Sequence, residues 1–65
     1  MSAHPYVLFR ENNRTHQEEF MWQVVDGKPL TCAEPAGALR FALARQAYEF
    51  AGSMGFQWWK VGRRG

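Results

Sequence analysis

The sequence is poor in the residues that covalent or metal-based stabilisation requires. Cys32 is the only cysteine among 65 residues, which excludes an internal disulfide and a multi-cysteine zinc site. A single cysteine also fits a reducing compartment better than a secreted scaffold. A chain this short buries only about 60% of the surface that its unfolded form exposes, so it has room for one core and depends on dense packing or a partner.

Long apolar runs and a strong charge of either sign are also missing. No run approaches the about 18 apolar residues of a membrane helix, and the segment from Met1 to Pro5 has no basic region of the signal-peptide kind. We therefore expect a soluble, cytoplasmic protein with no membrane partner. The net charge of +2 is too small to predict nucleic-acid binding by itself. Its distribution is uneven, since a short basic tail at 62–65 follows Lys60 and contains Arg63 and Arg64.

Aromatic residues are abundant, at 15% of the chain, and each can bury a large apolar area. They concentrate in segments with the composition of strands. The first segment ends at the turn-forming pair Asn12-Asn13, and the second ends at Asp26-Gly27, where Pro29 prevents a clean continuation. The third lies between glycines. The predicted strands span residues 6–11, 19–25 and 56–61.

A different composition begins at Thr31, where the strong helix formers Ala, Leu, Arg, Gln and Glu dominate. Thr31 with Glu34 fits a capping box, whereas Glu34 before Pro35 suits an N-cap with proline at the first helical position. Residues before proline avoid the α region, which favours the second start. Gly52 and Gly55 are both plausible ends, and Gly55 is the better placed. The predicted helix spans residues 35–54.

The order of these elements, ββαβ, predicts a small two-layer α+β domain over residues 1–65. If the third strand lay parallel to the second, the chain between them would have to form a crossover connection. If it lies beside the first strand instead, the two are antiparallel. The predicted sheet is therefore three-stranded and antiparallel with the order 2-1-3. The helix is expected to pack on one face of it.

The predicted helix has an apolar stripe for the sheet, at about 100° per residue. Phe41, Arg45 and Tyr48 fall on the opposite side, at i, i+4 and i+7, where a two-layer protein has only solvent. Single exposed aromatics are common on monomers, but two aromatics and an arginine are residue types enriched at interface hot spots. The stripe that faces the sheet contains Ala36, Leu39, Leu43, Ala47, Phe50 and Met54.

Trp58 and Trp59 predict a second exposed surface. Side chains alternate between the two faces of a strand, so the adjacent indoles diverge, and one helix covers only one face. A tryptophan is therefore expected on the uncovered face. A second copy of the chain, a different protein or stacked nucleic-acid bases would cover it, or the chain's own termini and residues 15–19 would fold back over it.

Catalytic and metal chemistry have little support. Cys32 near a helix N-terminus, with His4 or His16 as its base, would be a nucleophile, but a lone cysteine in a small protein is usually a small buried hydrophobe. The histidines, even with Glu18 or Glu19, lack a zinc-ligand spacing. The glycines match neither a dinucleotide fingerprint nor a phosphate loop. We predict no enzyme activity, no cofactor and no metal.

Two binding functions remain, one with a protein and one with a nucleic acid as the partner. The first is a protein–protein interaction module, with a homodimer as one option, whose partner-binding residues are Phe41, Arg45, Tyr48, Trp58 and Trp59. The alternative is a single-stranded nucleic-acid module that uses an aromatic sheet face with Lys60, Arg63 and Arg64. The strands lack the glycine-aromatic signature of the common RNA-recognition sheet, and the low net charge argues against a large phosphate footprint, so this version is second.

No motif in the sequence points to a particular family. In general character the chain resembles the small accessory proteins with which bacteriophages block host machinery, such as anti-CRISPR proteins. The features shared are the size, the single domain, the exposed aromatics and the lack of catalytic groups. The resemblance implies an inhibitor that occupies a functional surface on a larger host protein.

Overall fold

The structure, a computed structural model, describes residues 3–56 and 58–64. Its strands form one antiparallel sheet in the order β3-β2-β1-β4, and one α-helix packs on it. The predicted α+β class with an antiparallel sheet and one helix is confirmed, but the prediction of three strands is wrong because the sheet has four. The elements are β1 (Tyr6–Glu11), β2 (Glu18–Val25), β3 (Lys28–Cys32), a 3-10 helix (Pro35–Gly37), α1 (Ala44–Met54) and β4 (Lys60–Arg63).

The strand that the sequence analysis missed is β3. Asp26 and Gly27 have φ values of 53° and 76°, both left-handed, which is the geometry of a two-residue hairpin turn that sends β2 directly back as β3. Pro29 does not block this strand. It lies on an edge strand, opposite Val24 and next to the Val25–Lys28 pair that closes the turn. Hydrogen-bonded and non-hydrogen-bonded pairs alternate, so the missing N–H of Pro29 faces away from β2 and deprives it of no hydrogen bond.

The predicted neighbours of the first strand are present, since β1 lies between β2 and the last strand, β4. Phe9 is opposite both Phe20 on β2 and Lys60 on β4. The last strand begins at Lys60 and continues to Arg63, so it is displaced from the predicted 56–61 into the predicted tail. Gln57 of the predicted strand and Gly65 of the predicted tail lie outside the described residues.

The helix begins at Ala44, not at Pro35, because the preceding segment is extended and pairs with the sheet. Pro35 begins only the short 3-10 helix. Beyond it, the Leu39 N–H donates to the Met21 carbonyl at 2.9 Å, and Phe41 and Tyr6 exchange two backbone hydrogen bonds of 2.9 and 3.1 Å. These sheet-like bonds override the helix propensity of the segment. The predicted end at Gly55 is confirmed, with a left-handed φ of 77°.

The core lies between α1 and one face of the sheet. A register shift between Met21 and Gln23 marks an irregularity in β2, so that Met21 and Val24 both pack into the core, although strict alternation would separate them. None of the described helices is long and apolar enough to cross a membrane. The buried core cluster contains Leu8, Met21, Ala47, Ala51 and Trp59.

The face of the sheet away from α1 is covered in part by the chain itself. Leu8 faces the core, so the adjacent Phe9 faces away from the helix. The Arg64 guanidinium lies over the Phe9 ring, 4.9 Å from its centre, and pairs with Glu18 at 3.2 Å. Arg40 donates hydrogen bonds to the carbonyls of Arg64 and Pro35, which fixes the backbone at this point. It is the Arg64 side chain that thus covers this part of the face, because the backbone of Arg64 continues along β1 with a hydrogen bond to Pro5 and does not fold back over the sheet.

Candidate binding surface

The predicted stripe of Phe41, Arg45 and Tyr48 does not form. Phe41 precedes α1, is half-buried against the core, and has its ring centre 5.5 Å from that of Phe50. The assignment of Phe41 to an outward helical face is wrong because its backbone pairs with Tyr6. Arg45 and Tyr48 do lie on α1 and are exposed, Tyr48 by 61%.

The two adjacent tryptophans occupy opposite environments. Trp59 is 8% exposed in the core, whereas Trp58 is 87% exposed. The turn after α1 explains the difference: the Phe56 N–H donates to the Ala51 carbonyl at 2.8 Å, and Phe56 packs against the core. Trp58 therefore lies on a turn between two anchored aromatic side chains and extends into solvent. Trp59, predicted as a partner-binding residue, is a core residue.

An open groove of about 730 Å³ adjoins Trp58. It is formed by the end of β1, the loop between β1 and β2, and the start of β4. It places the predicted site residues Trp58 and Lys60 beside Arg14, which was not predicted as a site residue. The lining residues are Arg10, Glu11, Asn12, Asn13, Arg14, Glu19, Trp58 and Lys60.

The β1–β2 loop that borders this groove is held by Asn12. Its side-chain Oδ1 accepts hydrogen bonds from the N–H groups of Arg14 and Thr15 at 2.8 and 3.2 Å, as expected of an asparagine that starts a turn. Its backbone N–H donates to the Gln17 carbonyl at 2.8 Å, and its carbonyl accepts from the His16 N–H at 2.7 Å. The loop therefore has a defined backbone that places Arg14 at the groove.

Arg10 and Glu19 connect the groove to the core. The Arg10 guanidinium lies 4.8 Å from the centre of the Trp59 ring, and its Nε lies 3.4 Å from Glu19 Oε1. Asn12 Nδ2 donates to Glu19 Oε2 at 3.3 Å. These side chains already have partners, so they serve to support the groove.

Two cations in the groove have no such partner. Within residues 3–56 and 58–64, the side chains of Arg14 and Lys60 make no ion pair, and both residues are exposed. Of the acidic residues, Glu19 is paired with Arg10, and Glu11 Oε1 lies 3.3 Å from His16 Nδ1. The groove therefore contains three basic and two acidic side chains, and the cations without an ion pair among the described residues are Arg14 and Lys60.

The predicted basic cluster at the C-terminus is divided. Lys60 opens β4 beside the groove, whereas Arg63 is exposed at the other end of the strand, opposite Tyr6. Arg64 is engaged with Phe9 and Glu18. The three basic residues therefore do not form one free cluster.

A second apolar surface lies on the β2–β3 hairpin. Trp22, Val25 and Leu30 are each about 40% exposed there. This surface was not predicted from the sequence, because β3 is not among the predicted strands. The Asp26-Gly27 pair between two apolar segments was the signal that could have identified the hairpin.

The residues considered for catalysis are not assembled into a site. The Cys32 thiol donates to the Glu34 carbonyl at 3.2 Å, and His16 contacts Glu11 instead of a cysteine. Glu18 and Glu19 have different partners, Arg64 and Arg10. Across the part of the chain that the structure describes, no three His, Cys, Asp or Glu side chains are grouped to hold a metal ion.

Fold and surface together define a small α+β protein with an exposed tryptophan at an open groove of mixed charge. Comparison with known proteins gives no match, whether to a family model, to a curated protein or to a solved structure.

Proposed function

We propose that this chain is a non-catalytic binding protein that engages another protein through the groove around Trp58. The observation that carries the proposal is the 87% exposure of this indole on a turn between two side chains packed in the core. Tryptophan is among the residues most enriched at interface hot spots, and exposing a large apolar ring to water is unfavourable without a partner.

Charge supports a partner with acidic residues near its own apolar pocket. Arg14 and Lys60 adjoin the exposed ring and have no ion pair within the described chain. Cations at the edge of an apolar anchor accelerate association with an acidic surface and restrict which partners bind. We expect Trp58 to supply most of the affinity, and the two cations to supply selectivity.

The proposed consequence of binding is occlusion. The inserted tryptophan would fill a pocket on a larger partner. Inhibition of that partner, as in the phage accessory proteins that the chain resembles in type, follows if the pocket is functional. A homodimer would instead use the exposed hairpin residues Trp22, Val25 and Leu30.

Single-stranded nucleic acid is the second candidate, because an exposed ring beside unpaired cations is also the arrangement that stacks a base next to its phosphates. We rank it second because of where the aromatic rings lie. Trp59 is buried, Phe20 is 4% exposed and Phe9 lies under Arg64, so the sheet offers no row of open rings.

Affinity capture from a lysate of the source organism tests the proposal with a matched pair of variants. Trp58→Ala should lose the captured protein, whereas Trp22→Ala, which removes an exposed tryptophan elsewhere, should retain it. Nuclease treatment should make no difference. Capture that survives Trp58→Ala would contradict the proposal.

Loss of capture on nuclease treatment would favour the second candidate. That candidate further predicts that affinity for an oligodeoxythymidine falls steeply as salt rises and weakens in an Arg14→Gln, Lys60→Gln variant.

A further inference from the structure

The geometry points to the open edge of β4 as the site where the partner binds, as an extended acidic strand added to the sheet. This inference rests on the proposed function, since it assumes that the partner is a protein. It is carried by the backbone of β4 and by its charges, not by Trp58.

The register shows which backbone groups of β4 face outward. The Arg64 N–H donates to the Pro5 carbonyl at 2.8 Å, which continues the β1–β4 ladder by one pair. Hydrogen-bonded and non-hydrogen-bonded pairs alternate in an antiparallel ladder, so Lys60 and Gly62 bond to β1. Val61 and Arg63 therefore direct their N–H and C=O groups away from the sheet.

The pairing of Tyr6 agrees with this assignment. Tyr6 is opposite Arg63, yet it exchanges both of its backbone hydrogen bonds with Phe41 on its other side. It has none left for Arg63, as expected of a non-hydrogen-bonded pair.

Most of the outward groups are available to a ligand. The Arg63 carbonyl accepts a hydrogen bond from Arg64 Nη1 at 3.1 Å. Both backbone groups of Val61 and the N–H of Arg63 have no partner among residues 3–56 and 58–64. An added strand would satisfy these three groups.

The opposite edge of the sheet is less suitable. It is formed by β3, where Pro29 has no N–H to donate, and proline on an edge strand is a common way to prevent further pairing. The sequence of β4, Lys-Val-Gly-Arg, contains no proline. The two edges thus differ in their capacity to accept a strand.

Charge identifies the occupant. Lys60 and Arg63 begin and end β4, which has no acidic residue. Two copies joined through this edge, with Val61 opposite Arg63, would set Lys60 opposite Arg64, and like charges directly across a ladder are destabilising. A partner strand with carboxylates three residues apart would instead place one opposite Lys60 and one opposite Arg63. Such a strand, extended past Lys60, would reach Trp58.

Amide hydrogen exchange measured by NMR on the intact chain tests this inference. In the free protein, the amides of Val61 and Arg63 should exchange quickly and those of Lys60 and Gly62 slowly. The probe is a short synthetic peptide of threonine and valine with two glutamates three residues apart. It should slow exchange at Val61 and Arg63 by about tenfold or more, whereas the same peptide with lysines should have no effect.

Two variants separate the backbone contribution from the charge contribution. Val61→Pro removes an outward N–H while leaving the β1 ladder intact, so it should lower peptide affinity by about tenfold or more. The double variant Lys60→Gln, Arg63→Gln changes no backbone group. It should lower the affinity for the glutamate peptide by about threefold or more. The double variant provides the test if Val61→Pro does not fold.

Several results would overturn the inference: no binding of the glutamate peptide at millimolar concentration, equal binding of the lysine peptide, or protection of the Val61 and Arg63 amides by an oligodeoxythymidine. Protection that rises with protein concentration alone would show instead that two copies pair. Failure here is distinct from failure of the proposed function. Binding of the captured protein that is lost in Trp58→Ala but kept in Val61→Pro and in the single variant Arg63→Gln, neither of which alters a groove residue, would refute the strand and leave the groove.

Discussion

The ring of Phe9 lies directly on the backbone of Gly62. A β-carbon built on Gly62 would stand 2.5 Å from Phe9 Cε1, closer than real β-carbons approach any atom. Because the Arg64 guanidinium lies over the same ring, Phe9 cannot move away without disturbing that contact and the Arg64–Glu18 pair. The absence of a side chain at Gly62 therefore allows the Phe9 ring to pack on β4 with the Arg64 side chain over it.

Gly62→Ala should lower the free energy of unfolding by about 1–3 kcal/mol, the usual cost of overpacking. The matched control is Gly52→Ala on α1, where a β-carbon would meet nothing within 4 Å. That substitution should raise the free energy of unfolding by about 0.5–1 kcal/mol, because alanine is the better helix former. Urea denaturation followed by circular dichroism measures both. Equal effects of the two substitutions would show that Phe9 is not packed on Gly62.

The turn between β2 and β3 gives a prediction about backbone conformation. Gly27 has a φ of 76° and open space around it, so Gly27→Ala should cost about 1–2 kcal/mol through the left-handed backbone alone. Asp26→Asn should leave stability unchanged or slightly raised, since asparagine also favours the first position of this turn. Thermal unfolding of the two variants checks the prediction, and a stable Gly27→Ala protein would argue against the turn.

Phe41 and Tyr48 should respond oppositely to truncation. Phe41 packs on Phe50, so Phe41→Ala should cost about 2–4 kcal/mol, at or somewhat below the range for a fully buried ring. Tyr48 is 61% exposed, so Tyr48→Ala should change stability by no more than about 0.5 kcal/mol. Denaturation midpoints of the two variants decide the matter. A small effect of Phe41→Ala on stability would instead support the exposed position that the sequence predicted for this ring.

Phe41 was predicted on a helix but pairs with the sheet, which shows that local composition does not reveal pairing between residues distant in sequence. Residues 35–43 have the composition of a helix, and no local rule shows that Leu39 and Phe41 bond to Met21 and Tyr6. Those partners are distant in sequence, and only the tertiary fold brings them into place. The helix end at Gly55 was predictable because a glycine in the left-handed conformation is a local requirement.

The parts of the candidate site that depend on local sequence were also predictable. Asn12 indicated the turn that holds Arg14. The divergence of Trp58 and Trp59 was predicted from strand alternation, but β4 begins only at Lys60, so the turn after α1 separates the two indoles instead. Which indole is buried depends on the core that α1 provides, and the meeting of Arg14 with Lys60 depends on the pairing of β1 with β4. Neither relationship is local. The burial of Trp59 beneath Arg10 has no signal in the sequence.

The last prediction concerns the two adjacent tryptophans and tests the site directly. Trp58→Ala should leave the free energy of unfolding within about 0.5 kcal/mol of the parent value, because its ring is 87% exposed. Trp59→Ala should cost about 3–5 kcal/mol, which is close to the entire stability of a domain this small, so the milder Trp59→Phe serves as its folded counterpart.

Fluorescence provides an independent measurement on the same side chains. Trp58→Phe should remove the emission that acrylamide quenches most readily, since an exposed indole meets the quencher and a buried one does not. Trp59→Phe should leave that emission and remove a shielded one. If the two variants showed equal quenching, the indoles would share one environment. The groove would then lack its exposed anchor, and the binding proposed for it would lose its physical basis.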